Sequence, residues 1–192
     1  KNYADNRYVA DAVISNLEGN EAEFLKKYSG ADISLALYRR LDKLLLDLAQ
    51  SKNAASYKEL AKKYPEGAAL YKSICQTCHG GDGNGLASLA PPLNRSEWVT
   101  GDKDKLLAIV LYGLTGPVQV NDKLYKAPEI MGDMPGIGNN KELSDEDIAQ
   151  LMSFIRNAWG NKAPELHPTD VDRVRRKYAG RQKTFTMEEL DK

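Results

Sequence analysis

The stretch that most constrains this chain is Cys75-Gln76-Thr77-Cys78-His79. It holds both cysteines and one of the two histidines in 192 residues. That scarcity excludes a multi-disulfide framework and a second Cys/His metal centre. At i and i+3 on a helical turn two sulfurs face the same way, and the imidazole follows directly. A redox-active dithiol would open a helix after a strand, whereas this pattern closes a helix carrying Ala69, Leu70 and Ile74 inward. A structural zinc site would need two more ligands at knuckle spacing, and the chain has no third cysteine and only the distant His167. An accidental match with inert cysteines is the plain alternative.

C-x-x-C-H is also the attachment sequence for haem c. In that reading Cys75 and Cys78 each form a thioether with one haem vinyl group, and His79 turns under the iron as proximal ligand. One such motif means one haem. A haem that only transfers electrons needs a second strong axial ligand, and histidine is nearly exhausted. Four methionines remain. Met152 reads as helix core and Met187 lies towards the chain end, whereas Met131 and Met134 sit in the turn-rich stretch 127–136. Met134 is preferred because Pro135-Gly136 fixes the loop beside it, with Met131 the remaining alternative. Ordinary gap-filling methionines are the bland reading of both. A ligating histidine donates its other ring N–H to a fixed acceptor. The stiff segment Ala90-Pro91-Pro92-Leu93 offers the Pro91 carbonyl for this, or is simply a surface turn. Gly80 to Gly85 lacks the strand and the Lys-Ser/Thr of a phosphate loop; its glycines are expected to let the backbone pass a porphyrin edge.

The rest of the chain reads as helices. Val9, Ala12, Val13 and Leu17 recur at helical spacing up to Gly19-Asn20, a short segment runs from Glu21 to Tyr28 and stops at Ser29-Gly30, and Ile33 to Ser51 carries a longer apolar face. Short helices with tight turns have the texture of a helical repeat array or its end, or of an appendage that only docks on its neighbour. Helices follow from about Glu66 to the cysteines, over Lys103–Tyr112, and from Ser144, a good N-cap before an acidic first turn, to Gly160. Val118–Val120 and Lys123–Tyr125 around Asn121-Asp122 are the one hairpin candidate. A short helix at Val171–Tyr178 and a polar end complete the chain. The expected division is 1–62, helical extension; 63–162, haem domain; 163–192, tail. The charge balance of 27 basic and 27 acidic residues excludes a field that would draw nucleic acid. No apolar run spans a bilayer. The chain starts at Lys1 without methionine, which reads as a processed product or an excised fragment.

This pattern resembles the class I c-type cytochromes over about residues 64–162. Gly67, Tyr71, the Cys75–His79 motif, Ala90–Leu93, Met134-Pro135-Gly136 and the helix from Leu143 to Asn161 carry the likeness. The spare Met131 departs from it. The resemblance implies an all-α class I cytochrome c fold, here with a repeat-like N-terminal helical extension. It also implies that the first and last helices cross where Gly67 and Tyr71 meet Leu151 and Phe154. Ser96–Gly101 and Val110–Pro117 look more narrowly like cytochrome modules joined to exported quinoprotein or sugar-type dehydrogenases, some of which follow a β-propeller and helical repeats. The implied role is one-electron transfer from a dehydrogenase to a cytochrome or oxidase, in the bacterial periplasm or at the cell surface, without catalysis by this chain. A haem enzyme or gas sensor with an open or labile distal position is the alternative. A third reading makes residues 1–62 an interaction scaffold.

Overall fold

A computed structural model describes residues 6–17, 20–27 and 36–190. The expected stops at Gly19 and at Ser29-Gly30, the start at Ile33 and the side chain of Leu48 lie outside the described residues. The chain forms two compact units, Lys1–Ala55 and Ser56–Lys192.

In the first unit, α1 (Arg7–Ser15) is capped by the Asn6 side chain, which accepts from the backbone of Tyr8 and Val9. Glu21–Lys27 forms α2, acidic at its start and basic at its end, as the helix dipole favours. In α1 Ala10 is buried, Val13 is half-buried and Val9 is exposed. The helix expected to end near Ser51 runs on as α3 (Ala36–Lys63). No glycine or proline interrupts residues 36–63, so nothing in the backbone stops it before Pro65.

The second unit holds the core. Pro65 opens α4 (Pro65–Leu70) at the first helical position, where its missing N–H costs nothing. A π-helical turn, Tyr71–Cys75, leads into α5 (Gln76–His79). After α6 (Glu97–Thr100) and α7 (Lys103–Tyr112), two short ladders form. The expected hairpin is present as β2 (Val118–Val120) and β3 (Lys123–Tyr125), with Asn121 and Asp122 both at positive φ, as a tight two-residue turn requires. The other ladder was not legible in the sequence: β1 (Gly113–Leu114) pairs antiparallel with β4 (Met134–Pro135). Two-residue strands carry no alternation to read.

Helix α8 (Asp145–Ile155) starts with a Ser144/Asp147 capping box and buries Ile148, Leu151, Met152 and Phe154. It ends before the expected Gly160. Trp159 lies beyond it at positive φ, so its ring reaches the core from a turn instead of from the helix face. Helix α4 packs on α8 at Gly67: a Cβ there would overlap the Gln150 carbonyl and touch the Phe154 Cβ. Beside that crossing the Tyr71 ring lies 5.8 Å from Phe154 and 5.1 Å from Trp159. Of residues 163–192, expected as a tail, those described, 163–190, fold into this unit. Helix α9 (Pro168–Lys177) buries Val171 and Val174, and Phe185 and, from α10 (Met187–Leu190), Leu190 join the same core.

Candidate functional site

The π-helical turn and α5 set the thiols. Cys75 closes the wide turn and Cys78 lies one α-helical turn on, half-buried and exposed respectively. The wide turn is anchored by Tyr71, whose hydroxyl donates to the Gly80 carbonyl at 2.5 Å and so ties the start of that turn to the residue after His79. Burial pushes the Cys75 thiol up to about 12, with Cys78 adding to the effect, so Cys75 carries its proton at neutral pH.

His79 is buried, and its Nδ1 lies 3.0 Å from the Pro91 carbonyl oxygen. A carbonyl only accepts, so Nδ1 carries the hydrogen and the lone pair is left on Nε2. Burial lowers the imidazole's proton affinity, and that same hydrogen bond partly opposes the effect. The glycines of the loop between them let its backbone approach other protein groups closely. Gly83, at positive φ, lies under the Trp159 ring, which a Cβ would penetrate, and the Trp159 Nε1–H donates to the Gly81 carbonyl at 3.1 Å. The Gly83 carbonyl accepts from the backbone of Leu93 and Asn94 and so holds the Pro91 segment in place.

Cys75, Cys78, His79 and Met134 all line one cavity of about 190 Å³. Its other walls are almost wholly apolar, with Leu93, Val99, Leu106, Ile109 and Ile155 among them. Met134 is half-buried in β4 and packs against the core. Met131 is 69% exposed and does not line the cavity. Met152 does line it, from within α8, where it is buried core. His167 is exposed at the start of α9, its backbone N–H donating to Asp170. Trp98 is a wall residue that the site reading missed. Its indole N–H donates to the Gln119 carbonyl at 2.8 Å, which joins α6 to the β2–β3 hairpin. A lone tryptophan carries no spacing by which it could have been found.

Two adjacent thiols, an imidazole with a free Nε2, a thioether and an apolar enclosure form a donor set that suits haem and suits no hydrated ion. Among the described residues no cluster of three or more His, Cys, Asp or Glu could hold a metal ion.

Comparison with known proteins agrees. Residues 62–155 match the family described as cytochrome C oxidase, cbb3-type, subunit III. The cytochrome c subunit of a quinone alcohol dehydrogenase from Gluconobacter oxydans is 34% identical over 111 residues, 57% of this chain and 22% of the relative. The gluconate 2-dehydrogenase cytochrome c subunit of Pantoea cypripedii is 29% identical over 74% of this chain and 29% of its own length. Cytochrome c-552 of Thermus thermophilus is 30% identical over 61% of this chain and 77% of the relative. The chain belongs to the c-type cytochromes, with the helical class I fold. It carries covalently attached haem c and transfers electrons through it. It spans only about a fifth of the length of the alcohol dehydrogenase subunits it matches.

Proposed function

We propose that this chain shuttles single electrons through one haem c bound by thioethers at Cys75 and Cys78, with His79 and Met134 as axial ligands. The observation that carries this reading is the convergence of those four side chains on one apolar cavity. Haem c supplies a one-electron iron couple, and a methionine ligand with a dry surrounding favours its reduced form. The chain does the rest. Pro91 orients the His79 ring, the Tyr71 hydroxyl braces the backbone on either side of the motif, and the apolar walls exclude water.

By likeness to cytochrome c subunits named for alcohol, gluconate and fructose dehydrogenases, the donor is an exported dehydrogenase and the acceptor a respiratory cytochrome or oxidase. The site of action is then the periplasm or cell surface. No described helix is long and apolar enough to cross a membrane.

The test is spectroscopic. A pyridine haemochrome spectrum of the exported protein identifies haem c, and the long-wavelength band of a methionine–iron(III) bond is expected in the oxidised protein and lost in Met134→Ala. A band that survives Met134→Ala, or rapid carbon monoxide binding by the reduced wild-type protein, overturns the ligand assignment and favours an open or labile distal site.

A further inference from the structure

Beyond the ligands themselves, the C-terminal segment reaches the loop that carries Met134. The Phe185 N–H donates to the Gly113 carbonyl at 2.9 Å, and the Thr115 N–H donates to the Phe185 carbonyl at 2.8 Å, so residue 185 pairs with β1. On its other edge β1 pairs with β4, Gly113 against Pro135 and Leu114 against Met134. Residue 185, β1 and β4 thus form one continuous backbone ladder that ends on Met134.

Gly113 is where the three strands crowd together. At φ +88° it has no side chain to separate them, and a Cβ would press on the Met134 carbonyl, the Gly136 nitrogen and the Thr184 methyl group. The outer rung is firmly anchored. The Phe185 ring is buried, lies 4.9 Å from Tyr178 and 6.0 Å from Tyr112, and carries the Arg181 guanidinium 3.6 Å above it. Arg181 also donates to the carbonyls of Lys183 and Thr184 and to the Glu189 carboxylate, which in turn accepts from the Thr186 N–H. Two-residue strands are weak alone, because each rung fixes more backbone than one hydrogen bond offsets. An anchored third strand changes that balance.

We infer that Phe185 is a positioning residue for the distal ligand: through β1 it holds β4 so that Met134 stays directed at the haem. This rests on Met134 being that ligand. Opening of the ladder, not of the whole domain, then sets how often the distal position is exposed.

The test compares Phe185→Ala, Phe185→Leu, Val174→Ala and Met134→Ala in the full haem-loaded chain. Val174 is buried in α9 and bonds to no part of the ladder, so it reports general loosening. Phe185→Ala is expected to weaken the methionine–iron(III) band and to speed carbon monoxide binding by the reduced protein about tenfold, as local opening becomes easier. Phe185→Leu restores most of both, and Val174→Ala lowers the melting temperature with little effect on either. The positioning role is overturned if Phe185→Ala leaves band and rate unchanged, or if Val174→Ala moves them equally. If Met134→Ala keeps the band, the ligand assignment fails instead, which separates the two readings. Should Phe185→Ala not accumulate as folded protein, Arg181→Met removes the cation above the ring and several anchoring bonds, and its band and rate decide in the same way.

Discussion

The two sides of the cavity are built by different means. On the His79 side, helices cross: α4 and α8 touch at Gly67, three aromatic rings fill the corner, and the histidine bonds to a backbone carbonyl between two prolines. On the Met134 side, a loop hangs on strands of two residues and on a C-terminal segment far along the chain. The first is a packed core, where displacement costs buried area. The second is a ladder, where displacement costs a few backbone bonds. If His79 and Met134 are the axial ligands we propose, local opening is expected to release Met134 before His79.

The contrast can be broken at graded strength. Replacing Cys75 and Cys78 together by alanine is expected to abolish covalent haem retention, read as loss of haem staining on a denaturing gel. The His79 side is next. Gly67→Ala drives a methyl group into the Gln150 carbonyl and is expected to cost about 3 kcal/mol or more, seen as a fall in melting temperature with both spectral ligand signatures lost together. Were it tolerated with no change in melting, the crossing would be softer than a packed core.

Acid should act on neither ligand first but on the packing of α9. Asp170 is buried, which pushes its carboxyl up, but hydrogen bonds from Lys103, the His167 N–H and Arg173 outweigh this and hold it at about 2. A carboxyl lowered on folding contributes stability above its unfolded value and loses it as pH falls through the folded one. About 1–2 kcal/mol is therefore expected to vanish between roughly pH 4 and pH 2, and Asp170→Asn should flatten that limb of an acid titration followed by thermal melts. The smallest effect is expected at Pro91→Ala. The accepting carbonyl belongs to the backbone and survives, so only loop stiffness is lost, about 0.4–1 kcal/mol, and the spectrum should stay as it was.

Local chemistry was legible and distant pairing was not. The Cys75–His79 motif, the Pro91 acceptor, the Ser144 cap and the Asn121-Asp122 turn all act within a few residues, or through a residue type whose role hardly depends on context. Met134 is preferred to Met131 from the neighbouring Pro-Gly; Met134 lines the cavity and Met131 does not. What escaped was whatever depends on residues far apart in the chain. That Gly83 makes room for the Trp159 ring, 76 positions on, has no local signature. Residues 163–192 looked like a tail because their apolar positions, Val171, Val174, Phe185 and Leu190, are too sparse to set a period.

The linear chain therefore determined which atoms can meet a haem, since only one pentapeptide holds both thiols and an imidazole, and determined the helical class through the spacing of its apolar residues. Tertiary structure alone decided how firmly each ligand is held. That firmness comes from Gly67 against Gln150 and from Phe185 against Gly113, contacts that require the chain to return upon itself, and no local preference at either end of such a pair reports that the other has arrived.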